Sequence, residues 1–156
     1  SLLENSTVFI RKLAGDSSGS YGKQVLAKIR TSPFKNDIEY LGRISDQEKQ
    51  ELMQRAHFIT DTSVKEGWGI IVTEAASQGP PAVVYDVDGL RDSVRNGQTG
   101  IVTDPNPQAL ATGIVQLISN LSLYKTMQQT AWEWSKHMTF NQSYKDFTFA
   151  MQGGAQ

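Results

Sequence analysis

The sequence predicts an α/β domain built on a parallel sheet with helices on both faces. Three observations support this. Short apolar runs of strand length alternate with longer stretches whose apolar residues recur at helical spacing. Glycine-containing turns stand where several of these runs end. One run, Ala82-Val83-Val84-Tyr85, is apolar throughout, as a parallel strand covered on both sides should be.

Taken in order, Thr7 to Leu13 reads as a strand ending at Ala14-Gly15, followed by a polar loop from Asp16. Tyr21, Val25, Leu26 and Ile29 share one helical face, so a helix is expected over about Ser20 to Arg30, broken at Ser32-Pro33. Ile38 to Gly42 reads as a short strand. Ser45 with Glu48 three residues on is a capping box, and Leu52, Met53 and Ala56 supply that helix's apolar face. His57 to Thr60 is the next expected strand. The turn from Glu66 opens a helix ending near Gly79, and Ala82 to Tyr85 follows as a strand. Gly89 to Val94 reads as a glycine turn and a short helix. Gly97 and Gly100 bracket a turn before Ile101-Val102-Thr103. Asn106-Pro107 is a helix start, with a cap residue and then proline in the first turn. Leu110, Ile114, Leu117 and Ile118 form its stripe. Asn120-Leu121-Ser122 is expected to separate it from a helix carrying Leu123, Met127, Ala131 and Trp134. Phe140 to Met151 is the last expected helix. One domain is expected over 1–152, with 153–156 fraying.

Composition narrows the function classes. The chain has 156 residues, 38% hydrophobic and 20% charged, with a net charge of −1. That balance gives no reason to propose nucleic acid or an anionic membrane as the main partner. No apolar run is long enough to span a bilayer, and the expected location is cytoplasmic, or peripheral to a membrane in a longer enzyme. There are no cysteines, which excludes disulfides and thiolate metal sites. His57 and His137 are far apart in sequence and match no metal-ligand spacing.

The chemistry concentrates in Lys65-Glu66-Gly67-Trp68-Gly69-Ile70-Ile71-Val72-Thr73-Glu74. The first N–H groups of a helix lack partners and sit at the positive end of its dipole, so a glycine turn opening a helix can hold phosphate. Glu66 precedes the expected helix, and Glu74 is expected about two turns inside it, on the order of 12 Å further along the axis. Ionised carboxylates are two-oxygen acceptors suited to vicinal diols. A ligand with phosphates in the middle and hydroxylated rings at both ends, such as a nucleoside diphosphate sugar, would fit. The spacing alone fits equally well a loop acid and a helix acid paired with a surface base. Because such sheets bind ligands at the carboxyl ends of their strands, the Gly15, Gly42-Arg43 and Asp86 to Gly89 loops are expected to gather beside this turn.

In order along the chain, Gly42-Arg43-Ile44-Ser45, Glu66-Gly67-Trp68-Gly69, Glu74-Ala75, Gly79, Asp88-Gly89-Leu90 and Gly97-Gln98-Thr99-Gly100 resemble the motifs of group 1 glycosyltransferases. The resemblance covers nearly the whole chain. It is to the C-terminal, donor-binding domain of a retaining family 4 enzyme, the Rossmann-like half of a GT-B fold. It implies that Glu66 is the catalytic carboxylate, accepting hydrogen bonds from hydroxyls of the transferred sugar. It implies that Glu74 holds the ribose hydroxyls, and that backbone N–H groups of Gly67, Trp68, Gly69, Ile70 and Ile71 face the sugar and diphosphate. Gly42, Arg43 and Ile44 would border the base. The donor would be a nucleoside diphosphate sugar, and no metal or other cofactor is expected.

The resemblance also implies partners and departures. The acceptor would be held by an N-terminal domain that this chain lacks, so a hexosyltransferase is implied whose single domain is inactive alone. The family's basic pair lies on a first strand and helix that are absent. Ser1 to Asn5 match the tail of that helix, and Arg11 and Lys12 do not match the pair. Asp92 stands where the family has Glu, Thr62 where it often has Pro, and Gly79-Pro80-Pro81 where it has one proline. Two alternatives are a nucleotide-sugar-binding module without turnover and a GT-B epimerase domain. A different doubly wound domain binding another nucleotide is a third. Trp132 and Trp134 read as packing residues. Tyr144, Phe147 and Phe149 would be partly exposed without a partner domain, a face that could self-associate.

Overall fold

The computed structural model describes residues 10–152. The expected helix tail at Ser1 to Asn5, the first part of the expected first strand and the expected fraying tail lie outside them. The described chain divides into two compact units, 10–51 and 52–152.

The first unit opens with β1 (Arg11–Ala14) and α1 (Ser20–Thr31). A 3-10 turn (Lys35–Asp37), β2 (Ile38–Gly42) and the start of α2 (Asp46–Arg55) complete it. β1 and β2 pair in parallel, with Lys12 opposite Glu39, and the two side chains form an ion pair at 2.7 Å. On α1, Val25, Leu26 and Ile29 are half-buried as expected, whereas Tyr21, in the first turn, is 77% exposed. The Ser45–Glu48 capping box forms: Ser45 N–H and Oγ both donate to Glu48 Oε2 at 2.8 Å. Glu48 N–H returns a bond to Ser45 Oγ at 3.2 Å.

The second unit holds β3 (Ile59–Asp61), α3 (Ile70–Gln78), β4 (Ala82–Tyr85), α4 (Leu90–Ser93) and β5 (Gly100–Thr103). The helices α5 (Pro107–Ser119), α6 (Leu121–Ser135) and α7 (Phe140–Met151) follow. Its sheet runs β3-β4-β5, parallel throughout, with Ile59 opposite Ala82 and Val83 opposite Ile101. The strands therefore form two separate ladders, where the alternation of elements alone suggests a single sheet.

All four residues of the central strand β4 are buried. Ala82 and Val84 pack with Val72 of α3 and Leu90 of α4. Val83 packs with Leu117 of α5 and Met127 of α6. Successive strand residues face opposite sides, so both faces of β4 are covered, as its unbroken apolar run requires. Gly113 brings α5 onto this sheet: a Cβ there would stand 2.8 Å from Thr103 Cγ2 and 3.1 Å from Val83 Cγ1.

Three boundaries differ from the sequence expectation. β3 begins at Ile59 because Met53 O accepts the N–H of Ala56, closing a turn after α2 that leaves His57 exposed. β1 runs on through Ala14. No separate linker divides α5 from α6. Asn120 ends α5, and its Oδ1 accepts the Leu123 N–H at 3.0 Å, starting α6 at the next residue. α7 buries none of its residues, and Phe140, Tyr144, Phe147, Phe149 and Met151 are all exposed. Among the described residues no helix is long and apolar enough to cross a membrane.

Candidate functional site

The site is built at the carboxyl edge of the second unit's sheet. β3 ends at Asp61, whose Oδ1 accepts the Ser63 N–H at 2.9 Å and turns the chain away from the strand. The segment then reaches Glu66-Gly67-Trp68-Gly69. Gly69 caps α3 with φ 74 and ψ 53, a left-handed conformation that suits glycine, and it has no side chain to occupy the helix's first N–H groups. Its Cα also faces a wall: a Cβ there would lie 2.7 Å from Leu90 Cδ2 and 3.1 Å from Ser93 Oγ. Leu90 is fully buried, so the turn rests on the core.

The next crossover adds a second glycine turn. Parallel pairing sets Asp61 opposite Val84, so the loops leaving β3 and β4 are neighbours on one edge. Gly89 has φ 82, and a Cβ on it would come within 2.5 Å of Glu66 O and 2.7 Å of the Gly67 carbonyl carbon. The two turns are thus in direct backbone contact, as the sequence expectation for the Asp86 to Gly89 loop requires. Asp92 Oδ2 accepts the Gly89 N–H at 3.3 Å. Arg91 Nε donates to Asp86 Oδ1 at 2.7 Å and Nη1 to Asp88 Oδ1 at 3.0 Å. The bond to Asp86, with smaller contributions from Asp88 and Asp92, raises the Arg91 pKa above its usual value. Sequence spacing did not single out Arg91. The signal available was an arginine three and five residues after two aspartates.

Glu66 is half-buried, and its Oε1 accepts the N–H of Gly67 at 2.9 Å. That N–H, expected to face a ligand, is therefore bonded to the carboxylate beside it. Trp68 is 37% exposed and Ile70 is 66% exposed, while Ile71 is half-buried against the core. Glu74 is half-buried in the second turn of α3, not two turns inside. The helix starts only at Ile70, so the rise from there to Glu74 is about 6 Å. The longer expectation applied helical rise to turn residues.

Gly42, Arg43 and Ile44 belong to the first unit. Gly42 has φ 69, and its carbonyl accepts the Gly15 N–H at 2.8 Å, so the loops after β1 and β2 meet on one edge of that ladder. Arg43 Nη2 pairs with Asp16 Oδ2 at 3.0 Å. The Ser18 backbone N–H, then its side chain and Arg43, hold the Asp16 carboxyl below its ordinary range.

The third glycine turn does not join the other two. Gly97 N–H donates to Gly100 O at 2.9 Å and Asn96 Oδ1 accepts the Val102 N–H at 3.0 Å, so this turn closes the amino end of β5. Arg95, at its start, lies 3.5 Å over the Trp134 ring, which is half-buried in keeping with a packing role. Trp132 is 42% exposed, with Lys136 Nζ 3.1 Å from its ring centre. Among the described residues no group of three His, Asp or Glu side chains is arranged to hold a metal ion.

Comparison with known proteins agrees with this layout. The family model for glycosyl transferases group 1 matches residues 3–134. An uncharacterized glycosyltransferase of Methanocaldococcus jannaschii is 32% identical over 133 residues, covering 83% of this chain and 36% of that protein. The poly(glycerol-phosphate) alpha-glucosyltransferase of Bacillus subtilis is 27% identical over 136 residues, covering 86% of this chain and 20% of that protein. The chain thus spans about a third or less of the length of these relatives. Among solved structures, HepE of Anabaena in complex with UDP-glucose shares the fold with a TM-score of 0.78 at 24% identity, over 94% of this chain and 41% of that one. The glycine turns in their order, the parallel α/β architecture and the family match lead to one conclusion: this chain belongs to the group 1 glycosyltransferases.

Proposed function

We propose that this chain is the donor-binding domain of a retaining glycosyltransferase that moves a hexosyl group from a nucleoside diphosphate sugar to a hydroxyl. The observation that carries this reading is the paired turn. Glu66-Gly67-Trp68-Gly69 opens α3 at the carboxyl edge of a parallel sheet, in backbone contact with the Gly89 turn. Helix N–H groups at Trp68 to Ile71 take the diphosphate, where fixed donors stabilise the charge of the departing group. Glu66, held on one oxygen by the Gly67 N–H, offers Oε2 to sugar hydroxyls. Glu74 takes the ribose diol. That the Anabaena structure holds UDP-glucose supports this choice of ligand class. The greater length of the relatives supports an acceptor-binding domain elsewhere in a whole enzyme. The departing phosphate, not a side chain of this chain, takes the acceptor proton, and no metal participates.

Calorimetry of the chain with UDP-, GDP- and ADP-sugars tests the reading. One nucleotide class is expected to bind, unchanged by a chelator. Glu74→Ala should weaken both nucleotide and nucleotide sugar by about tenfold or more, the cost of losing a charge-assisted hydrogen bond. Absence of binding to all three classes, or unaltered binding by Glu74→Ala, overturns it. Transfer to a panel of hydroxyl acceptors separates an active domain from a binding module.

A further inference from the structure

We propose that Arg91 is a positioning residue for Glu66, holding the turn after β4 against the Glu66–Gly67 peptide and thereby fixing where the carboxylate stands. Its consequence for a sugar rests on the donor-binding reading; its geometric part does not.

The turn from Asp86 to Gly89 is tied to the sheet at its start, where Asp86 N–H donates to Thr103 O at 2.7 Å and Val87 packs against the core. Further along, the Asp88 carboxylate is held by Arg91. α4 spans only Leu90–Ser93, too short to be stable by its own hydrogen bonds. One guanidinium spans the turn from end to end. Nε donates to Asp86 Oδ1 at 2.7 Å, Nη2 to the Asp86 carbonyl at 3.4 Å and Nη1 to Asp88 Oδ1 at 3.0 Å. Gly89, next in the chain, is braced from the other side by Asp92, which accepts its N–H. It stands so close to the neighbouring turn that a Cβ would meet Glu66 O at 2.5 Å.

Glu66 O and the Gly67 N–H belong to the same peptide group. That N–H is the donor to Glu66 Oε1. The close approach of Gly89 to the carbonyl side of this peptide leaves it little room to rotate, and so limits the direction of the bond that orients the carboxylate. Exposed ion pairs contribute little to stability, and Arg91, Asp86 and Asp88 are 49%, 50% and 93% exposed at their side chains. Losing Arg91 should consequently alter position far more than stability. A lysine has one point charge in place of a fork and cannot span both aspartates and the carbonyl.

The test uses the 156-residue chain with Arg91→Gln and Arg91→Lys. Amide resonances of Gly67 and Gly89 should shift in Arg91→Gln, while that of Gly113 stays in place and the melting temperature moves by only a few degrees. With UDP and UDP-glucose as probes, Arg91→Gln should lose about tenfold or more in affinity for UDP-glucose and less than about twofold for UDP. Arg91→Lys should recover only part of that loss. Unmoved Gly67 and Gly89 amides overturn the proposal, as does an equal loss of affinity for both probes. If the unaltered chain binds neither probe, the amide shifts alone decide the positional role.

Discussion

Gly89→Ala tests the contact between the two turns directly, and its cost can be worked from the structure. Gly89 has φ 82 and ψ −48, a conformation that costs an L-residue about 1–3 kcal/mol. The added Cβ would also meet Glu66 O at 2.5 Å and the Gly67 carbonyl carbon and oxygen at 2.7 and 2.8 Å. These are backbone atoms with no flexible end to swing aside, and overpacking of that kind costs about 1–3 kcal/mol more. The expected loss is therefore about 2–6 kcal/mol, against a typical domain stability of about 5–15 kcal/mol. Gly97→Ala is the control. Gly97 has φ 78, and its Cβ would find nothing within 4 Å, so only backbone strain of about 1–2 kcal/mol applies. Urea denaturation followed by circular dichroism reads both, with an unchanged m-value marking a change in stability alone. A Gly89→Ala cost no greater than that of Gly97→Ala would refute the contact, and with it the idea that the second turn positions Glu66.

Three further outcomes are expected. Leu117→Ala, which empties a fully buried position packed with Val83 and Met127, should cost about 2–5 kcal/mol in the same denaturation assay. Asn120→Ala removes the cap that starts α6 and should cost about 1 kcal/mol, detectable as a lower urea midpoint. Glu48 is held below its ordinary pKa of 4.5 chiefly by the Ser45 backbone N–H and then by the Ser45 hydroxyl. A depressed carboxyl contributes stability above its unfolded pKa and loses it as pH falls through the folded one. The Ser45 amide resonance should therefore titrate with a midpoint below 4.5, and Glu48→Gln should abolish that titration; a midpoint at or above 4.5 would contradict the cap.

Much of the fold is legible where structure is set by near neighbours. The Ser45–Glu48 box, the Asn106-Pro107 start and the apolar run of β4 are all determined within a few residues, and each forms where its sequence places it. The two turns are legible at their glycines: Gly69 and Gly89 have positive φ and no room for a Cβ, which is why glycine stands at both. What local pattern misreads is where regular geometry begins. Glu74 looks deep in a helix until Gly69, left-handed, postpones the first turn to Ile70. Likewise Asn120, the residue that ends α5 and whose side chain caps α6, erases the linker that its polar neighbours suggest.

The sequence by itself determined the class of fold and the family, because hydrophobic period, capping chemistry and the need for glycine are properties of short segments. Only the tertiary structure decided which turns meet. Gly89 touches Glu66 O, and the Gly97 turn stays at the amino end of β5, because parallel pairing sets Asp61 opposite Val84 and brings their loops together. The atoms in that contact are backbone carbonyls and a missing Cβ. A carbonyl is the same for every residue, so the chain of letters does not say which one a glycine will approach.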